Sequence, residues 1–310
     1  MCSIRAWLSC VLVVVGLCTQ AAGNPPRVGL VMKSLANPFF SAMAEGARAH
    51  ETAHSGEYRL IVTGINNEQD KAAQIRIVEK LIADKVDVIV LAPADSRDLV
   101  PVVGRAVAAG IIVVNIDNKL DDRVLAERGL RVPFVGPSNR NGARLVGEYL
   151  GRSLRVGNKV AIIEGVSTTT NAQARTTGFR DAMESIGVEV VAVRSARWET
   201  DIAEKVAGDL LREYPDLTAL LCGNDSMALG AVAAVHNAKQ DGRVKVVGYD
   251  NIPQVRALLA DGRLLATADQ FAGQQAVYGI ELGLKALRDK TTQADLPAMV
   301  QTPVNLVVKP

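Results

Sequence analysis

The sequence predicts an α/β protein of two similar doubly wound parallel-sheet lobes. Three observations carry this. From Arg27 onward, short apolar runs alternate strictly with helical patterns, the order of parallel sheets covered by helices on both faces. The runs are continuously apolar, as strands buried on both faces require. There are eleven to twelve of them, more than one open sheet usually holds, and 310 residues suit two domains of about 150 each.

The elements follow in order. Residues 27–32 (RVGLVM) form a strand. Asn37 and Pro38 are an N-cap and first-turn pair, and Phe39, Phe40, Met43, Ala44 and Ala47 recur at helical spacing behind them. Strand 60–63 and helix 70–83 come next, then strand 86–91, helix 99–109 and strand 111–116. After a turn-rich stretch, 117–131, the pattern resumes with strand 132–135, helix 139–154, strand 159–163 and helix 172–186. Strand 188–194, helix 200–214, strand 217–222 and helix 226–237 continue it. Strand 244–249, helix 252–261, strand 264–268, helix 271–288 and a short strand 304–308 complete it. No linker rich in Pro, Gly or Ser separates two halves, so several short crossings join the lobes.

Composition narrows the function. Hydrophobic residues make up 48% and charged residues 22%, the profile of a packed globular protein. The formal net charge is +2 with no basic arm, which gives no electrostatic reason to expect nucleic acid. Residues 1–23 differ from the rest: Arg5 is their only charge, 6–18 are almost wholly apolar, and Thr19, Ala21, Ala22 and Gly23 are small. This is the pattern of a secretory signal peptide, cleaved between Ala21 and Gly23. The apolar run is short of the roughly 20 residues of a membrane span. A lipid anchor at Cys18 is the alternative, disfavoured by the bulky Leu17 before it. Cleavage removes Cys2, Cys10 and Cys18 and leaves Cys222, so the exported chain has no internal disulfide and relies on its core. Cys222 ends an apolar run and is expected to be a buried small hydrophobe.

In open α/β sheets ligands bind beyond the carboxyl ends of the strands. The residues there are Lys33, Asn37, Phe39 and Phe40 after the first strand and Asp117 and Asn118 after the fourth. The loop EGVSTTTN (164–171) leads to Asn171 and Arg175. Trp198, Asn224, Asp250 and Gln270 follow later strands. Planar amides, carboxylates, two cations and three aromatics at separate strand ends suit a neutral, polyhydroxylated small molecule: amides and charged groups bond vicinal hydroxyls, and aromatic faces cover the C–H patches of a sugar ring. Each residue also has a plainer reading. Asn37 can be only a cap, Phe39 and Phe40 core, Asp250 a turn residue and Trp198 buried packing; their joint placement is the stronger signal.

The segments VMKSLANPFF (31–40), NIDN (115–118), ARTTGF (174–179), CGNDSMALGA (222–231), VVGYDNIP (246–253) and ATADQ (266–270) resemble the periplasmic ribose- and galactose-binding proteins, the type I solute-binding proteins of ABC importers. The resemblance runs from Arg27 to Lys309 with the motifs in the same order. It implies two lobes hinged by three crossings, with 27–136 and 271–295 forming the N-terminal lobe and 137–270 and 296–310 the C-terminal lobe. It implies ligand contacts at Asn37, Phe39, Phe40, Asp117, Arg175, Trp198, Asn224, Asp250 and Gln270. Lys33 falls where arabinose-type relatives place a ligand-contacting lysine, and Asn171 where galactose-type members place a polar contact. One departure stands out: ribose-type members follow the cleft aspartate with arginine, whereas this chain has Asn118. Lys33 is then expected to supply the missing donor from the opposite side of the rim.

What the resemblance implies is a monomeric, non-enzymatic periplasmic receptor that delivers a monosaccharide or sugar alcohol to a membrane permease by hinge closure, with no cofactor and no metal. A receptor for a sugar-like signalling or chemotaxis ligand is the alternative. Enzyme readings lack support: there is no G-x-G-x-x-G after a strand, no P-loop and no G-x-S-x-G. His50 and His54 at i, i+4 lack further ligands for zinc. Asp117 and Asp250 could in principle form an acid–base pair, but their cationic and amide neighbours favour ionised acceptors. A sugar-responsive repressor would need a DNA-binding module before Arg27.

Overall fold

The computed structural model describes residues 24–309; the signal peptide expected at 1–23 lies outside them. Chain order is β1 (Arg27–Ser34), α1 (Pro38–Ala53), β2 (Arg59–Ile65), α2 (Lys71–Ala83), β3 (Val88–Leu91), α3 (Val100–Ala108), β4 (Ile112–Ile116), α4 (Asp122–Glu127) and β5 (Phe134–Gly136). Then come α5 (Asn139–Gly151), β6 (Lys159–Glu164), α6 (Thr170–Glu184), β7 (Glu189–Ser195), α7 (Thr200–Glu213), β8 (Leu217–Cys222), α8 (Asp225–Asn237) and β9 (Lys245–Val247). α9 (Arg256–Asp261), β10 (Ala266–Asp269), α10 (Ala272–Asp289), β11 (Met299–Gln301) and β12 (Asn305–Val308) end the series.

The strands form two six-stranded sheets, ordered β11-β5-β4-β3-β1-β2 and β12-β10-β9-β8-β6-β7. All pairings are parallel except β12, which runs antiparallel to β10. Each sheet's order reverses beside its first strand, β1 or β6, which is where such sheets open a crevice. The central strands β3, β4 and β8 are almost fully buried, which explains their unbroken apolar sequence. Helix α1 starts where expected, with the Asn37 Oδ1 accepting from the Phe39 amide at 3.0 Å. It packs on α10 with the two backbones in contact: a Cβ on Gly46 would lie 2.5 Å from the Gly273 Cα.

Three parts of the expected layout change. The turn-rich stretch contains α4, capped by Asp121, whose carboxylate accepts from the Arg123 and Val124 amides. The helix expected over 252–261 is a 3₁₀ turn, Pro253–Val255, leading into α9. The lobe boundary expected at 295/296 moves towards the C-terminus. β11 pairs with β5 in the first sheet, so the chain leaves that lobe only at residues 302–304. The other passages between sheets lie at 137–138 and 270–271. The Thr302 amide donates to the Gly136 carbonyl at 3.0 Å, tying the first and last crossings together.

Asp225 fastens the second lobe's strand ends. Its carboxylate accepts from the Thr267 hydroxyl at 2.8 Å and the Ile252 amide at 3.0 Å. Burial outweighs these bonds and raises its pKa from an ordinary 3.8 to about 6. The folded state therefore holds this proton more tightly than the unfolded chain, so the group's destabilising effect grows as pH rises from about 4 to about 6 and is constant above.

Two outcomes are expected. In urea unfolding of the ligand-free protein, Asp225 contributes a loss of about 3 kcal/mol between pH 4 and 6, and D225N is flatter over that window; parallel curves for the two proteins would refute the assignment. Gly46→Val, which drives a side chain into the α10 backbone, lowers unfolding free energy by about 2 kcal/mol, measured as a shift of the urea midpoint.

Candidate functional site

The crevice between the two sheets' carboxyl ends is a small, tightly lined cavity. The first lobe lines it with Lys33, Asn37, Phe39, Phe40, Glu68 and Asp117. Asn171, Arg175, Trp198, Asn224, Asp250 and Gln270 line it from the opposite side. Eleven of the twelve residues singled out from sequence are thus brought to one cavity. Asn118 is not, and Glu68 is an addition.

Strand ends present these side chains through unusual backbone. Asp117, Arg197, Trp198, Asp250, Asn251 and Phe271 have positive φ. The remaining non-glycine cases, Lys85, Lys239 and Lys290, follow helix ends. Left-handed residues gathered around one cavity mark a place where surrounding structure enforces strain for side-chain placement. Gly165 serves the same end. A Cβ there would come within 2.1 Å of the Trp198 ring, so only glycine lets the indole lie against that backbone.

On the first lobe the Lys33 ammonium lies 3.2 Å from the Glu68 Oε2 and 4.0 Å from the Asp117 Oδ2. It sits 5.2 Å from the Phe40 ring centre and 5.4 Å from that of Trp198, so aromatic faces from both lobes enclose it. Phe39 and Phe40 meet edge to face at 5.2 Å. Adjacent helix positions point about 100° apart, yet both rings are buried and both reach the cavity, because α1 begins at its rim. Asn37 is at once a cap and a wall: its Nδ2 donates to the Glu68 Oε1 at 3.0 Å.

On the second lobe Arg175 is held through its Nε and Nη1. Its Nε donates to the Asn139 Oδ1 at 2.7 Å, and its Nη1 donates to the Gly223 carbonyl at 2.8 Å and the Asp250 Oδ1 at 3.3 Å. The guanidinium stacks 3.8 Å from the Tyr249 ring centre. The Gln270 Nε2 donates to the same Asp250 oxygen at 2.6 Å, and Gln275 holds Gln270 in turn. Asn224 caps α8 through the Met227 amide.

Burial dominates the electrostatics. It pushes the Glu68, Asp117 and Asp250 carboxyls above their ordinary range, against the opposing pull of Lys33 on the first two and Arg175 on the last. At Asp117 and Asp250 desolvation outweighs the lowering effect of their cationic neighbours. The Asp117 Oδ2, Glu68 Oε2 and Trp198 Nε1 are buried without a hydrogen-bond partner in the protein, which leaves two acceptors and one donor for a hydroxylated ligand.

Asn118 is placed otherwise. Its Nδ2 donates to the Pro93 carbonyl at 3.0 Å, and its Oδ1 lies 3.2 Å from the Ser96 Oγ, 3.1 Å from the Thr170 Oγ1 and 3.3 Å from the Asn171 amide. All its polar atoms are taken by protein, so it is an inter-lobe contact and no wall of the cavity. Sequence reasoning missed Glu68 because it belongs to the polar stretch NNEQD after β2, whose residues looked like an ordinary helix lead-in. Only the position, beyond a strand's carboxyl end, marked it.

The geometry agrees with the comparisons. Residues 28–291 match the family model described as a periplasmic binding protein domain. A D-ribose/D-allose-binding protein of Pseudomonas aeruginosa is 56% identical over 285 residues, covering 92% of this chain and 89% of that protein. The D-allose-binding periplasmic protein of Escherichia coli is 33% identical, with 83% of each chain covered. Among solved structures, an ABC transporter solute-binding protein from Burkholderia multivorans superposes with a TM-score of 0.91 at 57% identity, covering 92% of this chain and all of that one; its unknown ligand was built as α-D-erythrofuranose. A solute-binding protein from Actinobacillus succinogenes with bound D-allose superposes with a TM-score of 0.85 at 33% identity, covering 92% and 98%. With its two parallel-sheet lobes, inter-lobe cavity and near full-length match, the chain belongs to the periplasmic sugar-binding proteins of ABC importers.

Proposed function

We propose that the cavity holds one neutral aldose of the ribose–allose kind, unaltered, and that the chain carries it through the periplasm as a monomer to a membrane permease. The observation that carries this reading is the set of unpartnered buried acceptors and a donor among aromatic faces in one inter-lobe cavity. The ligand kind follows the names of the 56% and 33% identical relatives. That the ligand leaves unchanged follows from the same relatives being binding proteins.

Closure follows from where the walls come from. A ligand touching Asp117 and Arg175 at once bridges both lobes and favours the state in which they meet. Protein–protein bonds beside the cavity assist. The Thr168 hydroxyl donates to the Asp95 Oδ2 at 3.0 Å, and the Thr170 amide to the Ser96 Oγ at 3.0 Å. The Thr170 Oγ1 lies 2.7 Å from the Lys119 carbonyl oxygen as well as beside Asn118. These bonds exist only when the lobes are together, so they add to the closed state whatever the sugar.

Calorimetric titration with D-allose and D-ribose is expected to show one site per chain, with both sugars recovered chemically intact. No binding to either, nor to other pentoses, hexoses and polyols, would end this reading. Asp117→Asn removes a charged acceptor worth about 1.5–3 kcal/mol and weakens binding roughly 10- to 100-fold. Thr170→Val, remote from the sugar, weakens every ligand by the same factor of about 2 to 10 through faster release; a ligand-dependent factor would place Thr170 in the pocket instead.

A further inference from the structure

Glu68 is the one cavity residue that neither the sequence motifs nor a helix cap explains. The loop between β2 and α2 fixes it. The Asn67 Oδ1 accepts from the Gln69 amide at 3.0 Å, the Asn66 carbonyl accepts from the Ser34 hydroxyl at 3.3 Å, and Asp70 caps α2. Between these anchors the Glu68 side chain turns inward and is 2% exposed. Its Oε1 is occupied by Asn37. Its Oε2 lies 3.2 Å from the Lys33 ammonium yet makes no hydrogen bond of good geometry. Trp198 and Glu199 of the second lobe line the same pocket as Glu68 on its outer side, so the residue sits where the lobes meet.

A purely structural role accounts poorly for this. Lys33 already has an acidic neighbour in Asp117, and adding a third buried carboxyl to a cavity with two cations costs desolvation that one ion pair seldom returns. The cost is understandable if the Oε2, ion-paired with Lys33, gains a further partner when the site is filled. Lys33, enclosed by Phe40 and Trp198, likewise has donor capacity beyond its single close contact. Donor and acceptor lie side by side on one wall, at the spacing of neighbouring hydroxyls.

We propose that Glu68 is a ligand-contacting, specificity-determining residue whose Oε2 accepts from one hydroxyl of the bound sugar while Lys33 donates to the adjacent one. This rests on the sugar-binding reading above. The Glu68–Lys33 pair would then take over the discrimination that the cavity cannot draw from Asn118, whose side-chain polar atoms are already bonded within and between the lobes.

The test is titration of the wild-type protein and E68Q with D-allose, D-ribose and the monodeoxy analogues of whichever binds tighter. Gln keeps the shape and the acceptor for Asn37 but loses the charge. The wild-type protein is expected to bind the parent at least 10-fold more tightly than one particular monodeoxy analogue. E68Q narrows that ratio to under threefold and leaves the ratios for the other analogues unchanged. An E68Q protein that weakens parent and all analogues by one common factor, or changes nothing, overturns the proposal. Thermal unfolding of the ligand-free variant reports whether it is folded; if it is not, E68D, which retracts the carboxylate, must show the same selective narrowing, and an unaltered profile overturns the proposal equally. A wild-type protein that binds no sugar overturns the functional reading itself, an outcome seen before any variant is made.

Discussion

The interaction on which the site depends is the shared burial of Lys33, Arg175 and the three carboxyls between two sheets. None of these groups is stable alone out of water. Arg175 is held by three protein acceptors and a tyrosine face. Lys33 is held between two rings and two acids. Because the groups come from both lobes, the arrangement is complete only when the lobes meet. The same desolvation that raises the carboxyl pKa values makes each remaining free lone pair valuable to a ligand hydroxyl, since no water competes for it.

The sheets supply the positions. Parallel strands deliver their carboxyl ends to one edge, and a reversal of strand order beside β1 and β6 leaves a gap there in each lobe. Loops that emerge at that edge are short, and several residues in them hold left-handed backbone. The strain aims short side chains such as Asp117 and Asp250 into the gap. Gly165 complements it on the opposite principle, by having no side chain where the indole must lie.

Most of this was legible in the sequence, for physical reasons. Continuous apolar runs announce buried parallel strands, and strand ends announce the site, so Asp117, Arg175, Asp250 and Gln270 could be named from position. Asn118 could not be judged that way. Position places it at a strand end, but its hydrogen bond to Pro93 within the lobe and its bond to Thr170 across the lobes depend on tertiary contacts that no local pattern encodes. β11 escaped for a related reason. Met299–Gln301 is short and half exposed, without an apolar run, and becomes a strand only because the β5 edge is there to pair with. Glu68 looked like loop polarity because its neighbours Asn66, Asn67 and Gln69 are loop residues in fact.

One further consequence concerns Cys222, the last residue of β8 and the only cysteine among the described residues. It is wholly enclosed, and burial drives its thiol far above the ordinary range. A sulfur kept protonated and sealed from solvent is a poor target for peroxide or for disulfide exchange. In an oxidising compartment Cys222 is therefore shielded from cross-linking for as long as the second lobe stays folded around it.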